Sequence, residues 1–264
     1  MVDIEARLRA LLPEEFQDSY PTLTARPMGA AGLKYGRDGR VAWDEIWGSF
    51  CDLAMAGGPP HKGTLLGPPD PGEIVAFPTL YVDAVREVCR GISMVTDFVA
   101  EESGDPGWVR VVCASEAMAG WLLRAITIEN VAVRQNGLAL ELPVGPHFRL
   151  DREIKNVITV IAKTFHYWDG HMPASQQREI AALLAAMDEE APLLRPVEGW
   201  RAVDYGTVER ALWAARLLIA LNVLARREGS AVFVPIDPER DPGAGRVAAA
   251  MAQVAEAMAA RQER

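Results

Sequence analysis

The chain has 264 residues, 50% of them apolar and 24% charged, and a net charge of −9. A chain this long buries most of its unfolded surface without staples. The acidic balance argues against nucleic acid, because a duplex repels such a field unless one face is locally basic, and the longest basic run is Arg226-Arg227.

Three cysteines, Cys51, Cys89 and Cys113, stand far apart with no C-x-x-C pair. That spacing suits reduced thiols in a cytoplasmic protein better than a disulfide framework or a thiolate zinc site. The opening MVDIEARLRALLPEEF is acidic and has no basic start followed by an apolar run, so it does not read as a signal peptide. The most apolar stretch, Ala211 to Ala225, is too short to span a bilayer and contains Arg216, which excludes a membrane partner and predicts a helix buried nearly all round.

In chain order, residues 2–12 predict a short helix ended near Pro13, followed by a Pro/Thr/Gly-rich loop to about residue 32. Residues 33–41 predict a small hairpin or turn at Asp38-Gly39. Trp43, Ile46, Trp47, Phe50 and Ala54 recur at helical spacing and predict a helix over 42–56, stopped by Gly57-Gly58 and Pro59-Pro60. The loop GGPPHKGTLLGPPDPGE (57–73) follows, with Leu65 and Leu66 able to pin it to the core. Tyr81, Val85, Val88, Ile92 and Val95 then mark a second amphipathic helix, broken at 103–107.

Residues 108–142 predict a β-α-β-β unit. Trp108 to Cys113 is β-rich, Ser115 suits an N-cap, and the helix runs to about Ile128. Two strands then flank Asn136-Gly137, a pair suited to the positive φ angles of a type I′ turn. A helix follows over 154–170 with Asp151 as its N-cap, and further helices are expected near 175–190, 205–227 and 244–262. A strand at 231–236 separates the last two, with Gly229 at the junction, and no internal repeat is evident. The fold class is α+β: a small, mainly antiparallel sheet flanked by amphipathic helices, with a mostly helical C-terminal part. One domain over 1–264 is expected, the alternative being a helical region 1–103 and an α+β region 104–264.

Candidate functional residues cluster at four places. The segment IKNVITVIAKTFHYWDGH ends in His166 and His171, with Lys155, Thr159, Lys163 and His166 along its polar side. The two histidines are five apart, whereas helical zinc ligands stand four apart, so they do not form a helical metal motif. Ser115, with Cys113 beside it, opens a helix whose free amides suit a carboxylate or phosphate. His61 and Lys62 share the Gly/Pro-rich loop, and His147 and Arg149 share the turn after the hairpin. Since all four histidines lie in or beside Gly/Pro breaks, the leading reading is an enzyme acting on a small anionic metabolite. His61, His147 and His166 would be its acid/base groups, and Lys62, Arg149, Lys163, Ser115 and His171 its ligand contacts. That reading predicts that the 57–66 loop, the 143–149 turn and the 163–171 helix end converge on one pocket. A non-catalytic subunit, assembly factor or ligand sensor is the second reading, with a homo-oligomer formed through helical surfaces such as the Val247, Met251, Val254, Met258 stripe. A metal-binding protein using several histidines is the third. No cofactor is indicated.

Overall fold

The computed structural model describes residues 3–19, 32–46 and 52–262. Asp3 caps helix α1 (Ile4–Leu11), which turns its apolar side inward through Ile4, Leu8 and Leu11. Tyr35 bridges Val41 around Gly39 at φ 76°, so the expected small turn is present. Asp70 caps the short helix α2 (Pro71–Ala76), and α3 (Pro78–Val95) follows on the predicted stripe, burying Tyr81, Val85, Val88 and Ile92.

The predicted β-α-β-β unit is present and carries one strand more. β1 (Ala100–Glu102), β2 (Trp108–Val112), β4 (Ala139–Pro143) and β3 (Arg134–Asn136) form an antiparallel sheet in the order β1-β2-β4-β3, which leaves β3 at an edge. Helix α4 (Glu116–Ile128) crosses between β2 and β3. The hairpin turn differs from expectation. Asn136 pairs with Ala139, so Gly137 and Leu138 are the loop residues, and Gly137 alone has positive φ (57°). A single positive φ at the first loop residue is the mark of a type II′ turn rather than I′.

A π-helical turn (Leu150–Ile154) leads into α5 (Lys155–Gly170), so Asp151 lies inside that turn and is not the N-cap. α6 (Ala174–Glu190) precedes a second sheet, ordered β5-β7-β6 from β5 (Trp200–Asp204), β6 (Arg226–Glu228) and β7 (Ala231–Pro235). α7 (Val208–Ala220) joins β5 to β6, and α8 (Gly245–Gln262) ends the described chain.

This second unit is a copy of the first. At a constant offset of 92 residues, Trp108, Trp121, Arg124, Asn130, Arg134, Gly137 and Pro143 recur as Trp200, Trp213, Arg216, Asn222, Arg226, Gly229 and Pro235. The backbone repeats with them. Asn130 and Asn222 share a left-handed φ (63° and 61°), Gly137 and Gly229 share φ 57°, and Arg134 and Arg226 lie over the Trp108 and Trp200 rings. Leu66 pairs in parallel with Val131, just as Leu194 pairs with Val223. The halves are also interleaved: α4 packs on α5 and α6, whereas α7 packs on α8 and α1. Each half's central helix thus rests against the helix that leads into the other half, as expected of an approximate twofold relation. The internal repeat is a correction to the sequence reading.

Two predicted helices are also corrected. Within 42–56 the structure has single 3₁₀ turns at Trp43–Glu45 and Ala54–Ala56, with Leu53 at a non-helical ψ of 135°; Trp47, Phe50 and Cys51 lie outside the described residues. Here tertiary burial overrides the spacing, because Trp43 is fully buried and its indole N–H donates to Glu87 (2.8 Å). The predicted 205–227 helix stops at Ala220, because Asn222 turns left-handed and Arg226–Glu228 joins the sheet. Gly229 accordingly serves the β6–β7 hairpin rather than a helix end. The Val247, Val254, Met258 stripe of α8 is buried within the chain, packed on α7, so it is not an open surface for a partner. Among the described residues, no helix is long and apolar enough to cross a membrane.

Candidate functional site

Two of the predicted site residues meet, in the interior. Lys163 falls on the polar stripe of α5, but its ammonium lies 2.6 Å from Glu129 Oε1 and neither side chain is exposed. Glu129, at the end of α4, also accepts the amide N–H groups of Ala54 (2.9 Å) and His61 (2.8 Å). His61 Nε2 donates to Asn156 Oδ1 on α5 (3.0 Å). Desolvation, with Lys163 adding repulsion, lowers the His61 pKa to about 4, so its ring is neutral near pH 7. Thr159, on the same polar side of α5, is buried as well. One carboxylate, one ammonium and a neutral imidazole make a charge-balanced bolt between the 54–62 segment, α4 and α5. Lys62 joins it through the backbone, its N–H donating to the Glu129 carbonyl (3.1 Å).

The remaining predicted residues lie away from this cluster. Ser115 caps α4, accepting the Met118 N–H at 3.1 Å, and the neighbouring Cys113 is buried with its thiol pushed up to about 12 by desolvation. His147 is exposed and stacks edge-on against Phe77 (4.7 Å between centroids). Arg149 is exposed and pairs with Glu153 at 3.6 Å. His166 and His171 meet each other at the end of α5, Nε2 to Nε2 at 3.0 Å. The four histidines thus occupy three separate places, and the expected convergence of the 57–66, 143–149 and 163–171 segments is not present. Among the described residues no three His, Cys, Asp or Glu side chains converge as a metal site.

Sequence reasoning missed a wide opening. A cleft of about 890 Å³ lies between the free edge of β3 (Arg134 to Gly137) and the Pro192–Val197 segment, with Asp188, Arg195 and Arg240 on its walls. Its nature emerges from the duplicated half. In a hairpin with a two-residue loop, the residues flanking the loop bond to each other, so the next residue outward turns its peptide groups to the free edge. At β6 that residue is Arg227, and its carbonyl accepts from Asn130 Nδ2 (2.8 Å). Glu228 closes the same edge by accepting the Leu65 N–H (3.2 Å).

At β3 the matching residues are Gln135 and Asn136, and neither contact is repeated. Asn222 Nδ2 donates instead to Asp188 Oδ1 (2.7 Å) and to the Ala191 carbonyl (2.8 Å). The Leu193 N–H also turns to Asp188 (3.2 Å). Asn136 is one methylene shorter than Glu228 and carries no charge. One half is therefore sealed by its own edge and the other is open along it. Arg134 is held at the mouth by Glu141 (2.6 Å) and Asp105 (2.6 Å), whereas Arg195 makes no ion pair with another described residue.

No family model matches the chain, and no curated protein or solved structure matches it.

Proposed function

We propose that the protein is a non-catalytic binding module that takes an extended polypeptide segment into the cleft along β3. The observation that carries this reading is the asymmetry of the duplicated halves: the β6 edge is closed by Asn130 and Glu228, and the matching β3 edge faces a cleft of about 890 Å³. An exposed edge is a template for a further strand, with main-chain bonds giving affinity and wall side chains giving selectivity. Arg195 would supply a contact for a carboxylate on the segment. Cys89 and Cys113, both free thiols, accord with a reducing cytoplasmic setting.

Selection of binders from a displayed library of short random peptides tests the reading, followed by titration against Gln135→Pro. Proline removes the outward N–H of an edge position and the exposed Gln135 side-chain bond to the Gly137 carbonyl (2.9 Å), so the ladder is kept while the added strand loses a bond. Peptides that bind the wild type and the variant equally, or that protect amides elsewhere in hydrogen exchange, overturn it. The competing reading, acid/base turnover of a small anion, has less support, because no histidine lines the clefts of about 890, 410 and 290 Å³.

A further inference from the structure

His166 and His171 lie at the end of α5, and neither lines the β3 cleft. The helix ends at Gly170, and His171 follows at φ −117°, ψ −8°, still donating its N–H to the Tyr167 carbonyl (3.2 Å). That turn swings its ring across to His166, centroid to centroid at 4.7 Å and 73° between planes. The spacing of five, wrong for two ligands within a helix, is compatible here because the second histidine lies just outside it.

We propose that His166 and His171 form a two-imidazole chelate for a divalent transition metal, Cu²⁺ above all, with Glu15 as its supporting carboxylate. The Nε2 atoms stand 3.0 Å apart. Metal–imidazole bonds of about 2.0–2.1 Å over that separation subtend roughly 90–95°. This is the cis angle of a tetragonal or octahedral ion, the geometry of Cu²⁺ or Ni²⁺. Tetrahedral zinc would ask the two nitrogens to move apart by a few tenths of an ångström.

The supporting shell is built in. Glu15 Oε2 lies 3.0 Å from His171 Nδ1. A proton held there on Nδ1 leaves the Nε2 lone pair for a metal, the carboxylate–histidine–metal arrangement. Glu15 is itself placed by the 3₁₀ turn Glu14–Phe16, whose buried Phe16 packs on Tyr167 at 5.5 Å. His171 is 34% exposed and His166 more so, so solvent completes the coordination sphere. Two protein ligands and open positions describe a reversible site rather than a permanent structural one.

Titration of the full chain with CuCl₂ at pH 7.5, read by calorimetry and by nitrogen hyperfine structure in electron paramagnetic resonance, tests the site. Wild type should bind one Cu²⁺ through two imidazole nitrogens and gain thermal stability. His166→Ala and His171→Ala should each weaken binding at least tenfold and abolish that gain. Glu15→Gln should weaken it by about tenfold, the usual effect of a supporting carboxylate. His147→Ala, another exposed imidazole, should change nothing. All these positions are at the surface, and an unaltered melting temperature without metal certifies each fold. Equal binding by wild type and the His166→Ala/His171→Ala double variant, or a one-nitrogen signal in wild type, overturns the proposal.

Discussion

Lys163 Nζ sits 2.6 Å from Glu129 Oε1 with both side chains wholly buried, tying the middle of α5 to the end of α4. Removing one partner strands a charge in the interior, so Lys163→Ala or Glu129→Ala should each cost about 3–5 kcal/mol in urea unfolding. The matching position of the second half is Leu221, an apolar solution to the same site. Lys163→Met/Glu129→Leu should therefore recover part of that loss. A double variant no better than the worse single would show that the amide bonds to Ala54 and His61 outweigh the ion pair.

Stability should fall in mild acid. The folded pKa of His61 is about 4, against an ordinary value of 6.5, so between these pH values the unfolded chain binds the extra proton. Its contribution is complete above about pH 6.5 and is lost as pH falls towards 4, up to about 3 kcal/mol at 1.36 kcal/mol per unit. His61→Asn should flatten that part of a stability–pH curve measured by denaturant unfolding. An unchanged slope in the variant would assign the acid sensitivity to other groups.

The left-handed asparagines should be sensitive to side-chain and backbone change separately. Asn222 has φ 61° and accepts a hydrogen bond from the buried Arg124, while donating to Asp188 and the Ala191 carbonyl. Asn222→Ala loses these bonds and strains the backbone, about 2–4 kcal/mol together. Asn222→Gly relieves the strain and should be milder by about 1 kcal/mol in thermal or chemical unfolding.

Closing the open cleft should be achievable by copying the closed one. Asn136→Glu places at β3 the carboxylate that Glu228 offers Leu65 at β6. The expected outcome is weaker uptake of any peptide selected by the wild type, with the melting temperature unchanged or slightly raised. Undiminished affinity would place the bound peptide elsewhere.

Gly91 of α3 packs directly against Ile158 of α5. A Cβ there would lie 2.1 Å from Ile158 Cδ1 and 3.2 Å from Trp43 Cδ1. Gly91→Ala should cost about 1–3 kcal/mol through overpacking. Adding Ile158→Val, which deletes the offending methyl, should return most of that in the same unfolding assay.

Much of the fold was legible in the sequence, because stripes such as Tyr81–Val85–Val88–Ile92 and the Asn136-Gly137 break report local physics. Trp43 did not obey its helical spacing, since a large buried ring in a connection obeys tertiary contacts instead. The 211–225 run is apolar on every side, and such a run carries no period to show where helix gives way to strand. The repeat was written in Trp108/Trp200, Arg124/Arg216 and Asn130/Asn222, but it occurs twice only. The first copy also has α2, α3 and β1 inserted between Leu66 and β2, which hides its length. Had it been seen, the β5-α7-β6-β7 unit could have been read from the first. At the candidate site, His61 was singled out as an acid/base group and Lys163 as a ligand contact, but periodicity cannot show that α5's polar side faces Glu129. The cleft could not be read at all, because it arises from a contact that one half makes and the other omits.

The placement of α1 against α7 has a consequence for how the chain is made. Ile4, Leu8 and Leu11 are synthesised well before Val208–Ala220, the helix against which α1 packs most extensively. Until α7 is synthesised, α1 can pack only on α6 and the Trp121 indole, so its packing is incomplete. Final assembly therefore waits for α7, a long-range closure that is slow and exposes apolar surface meanwhile. Truncation anywhere before α7 should leave a chain that aggregates rather than a smaller folded protein.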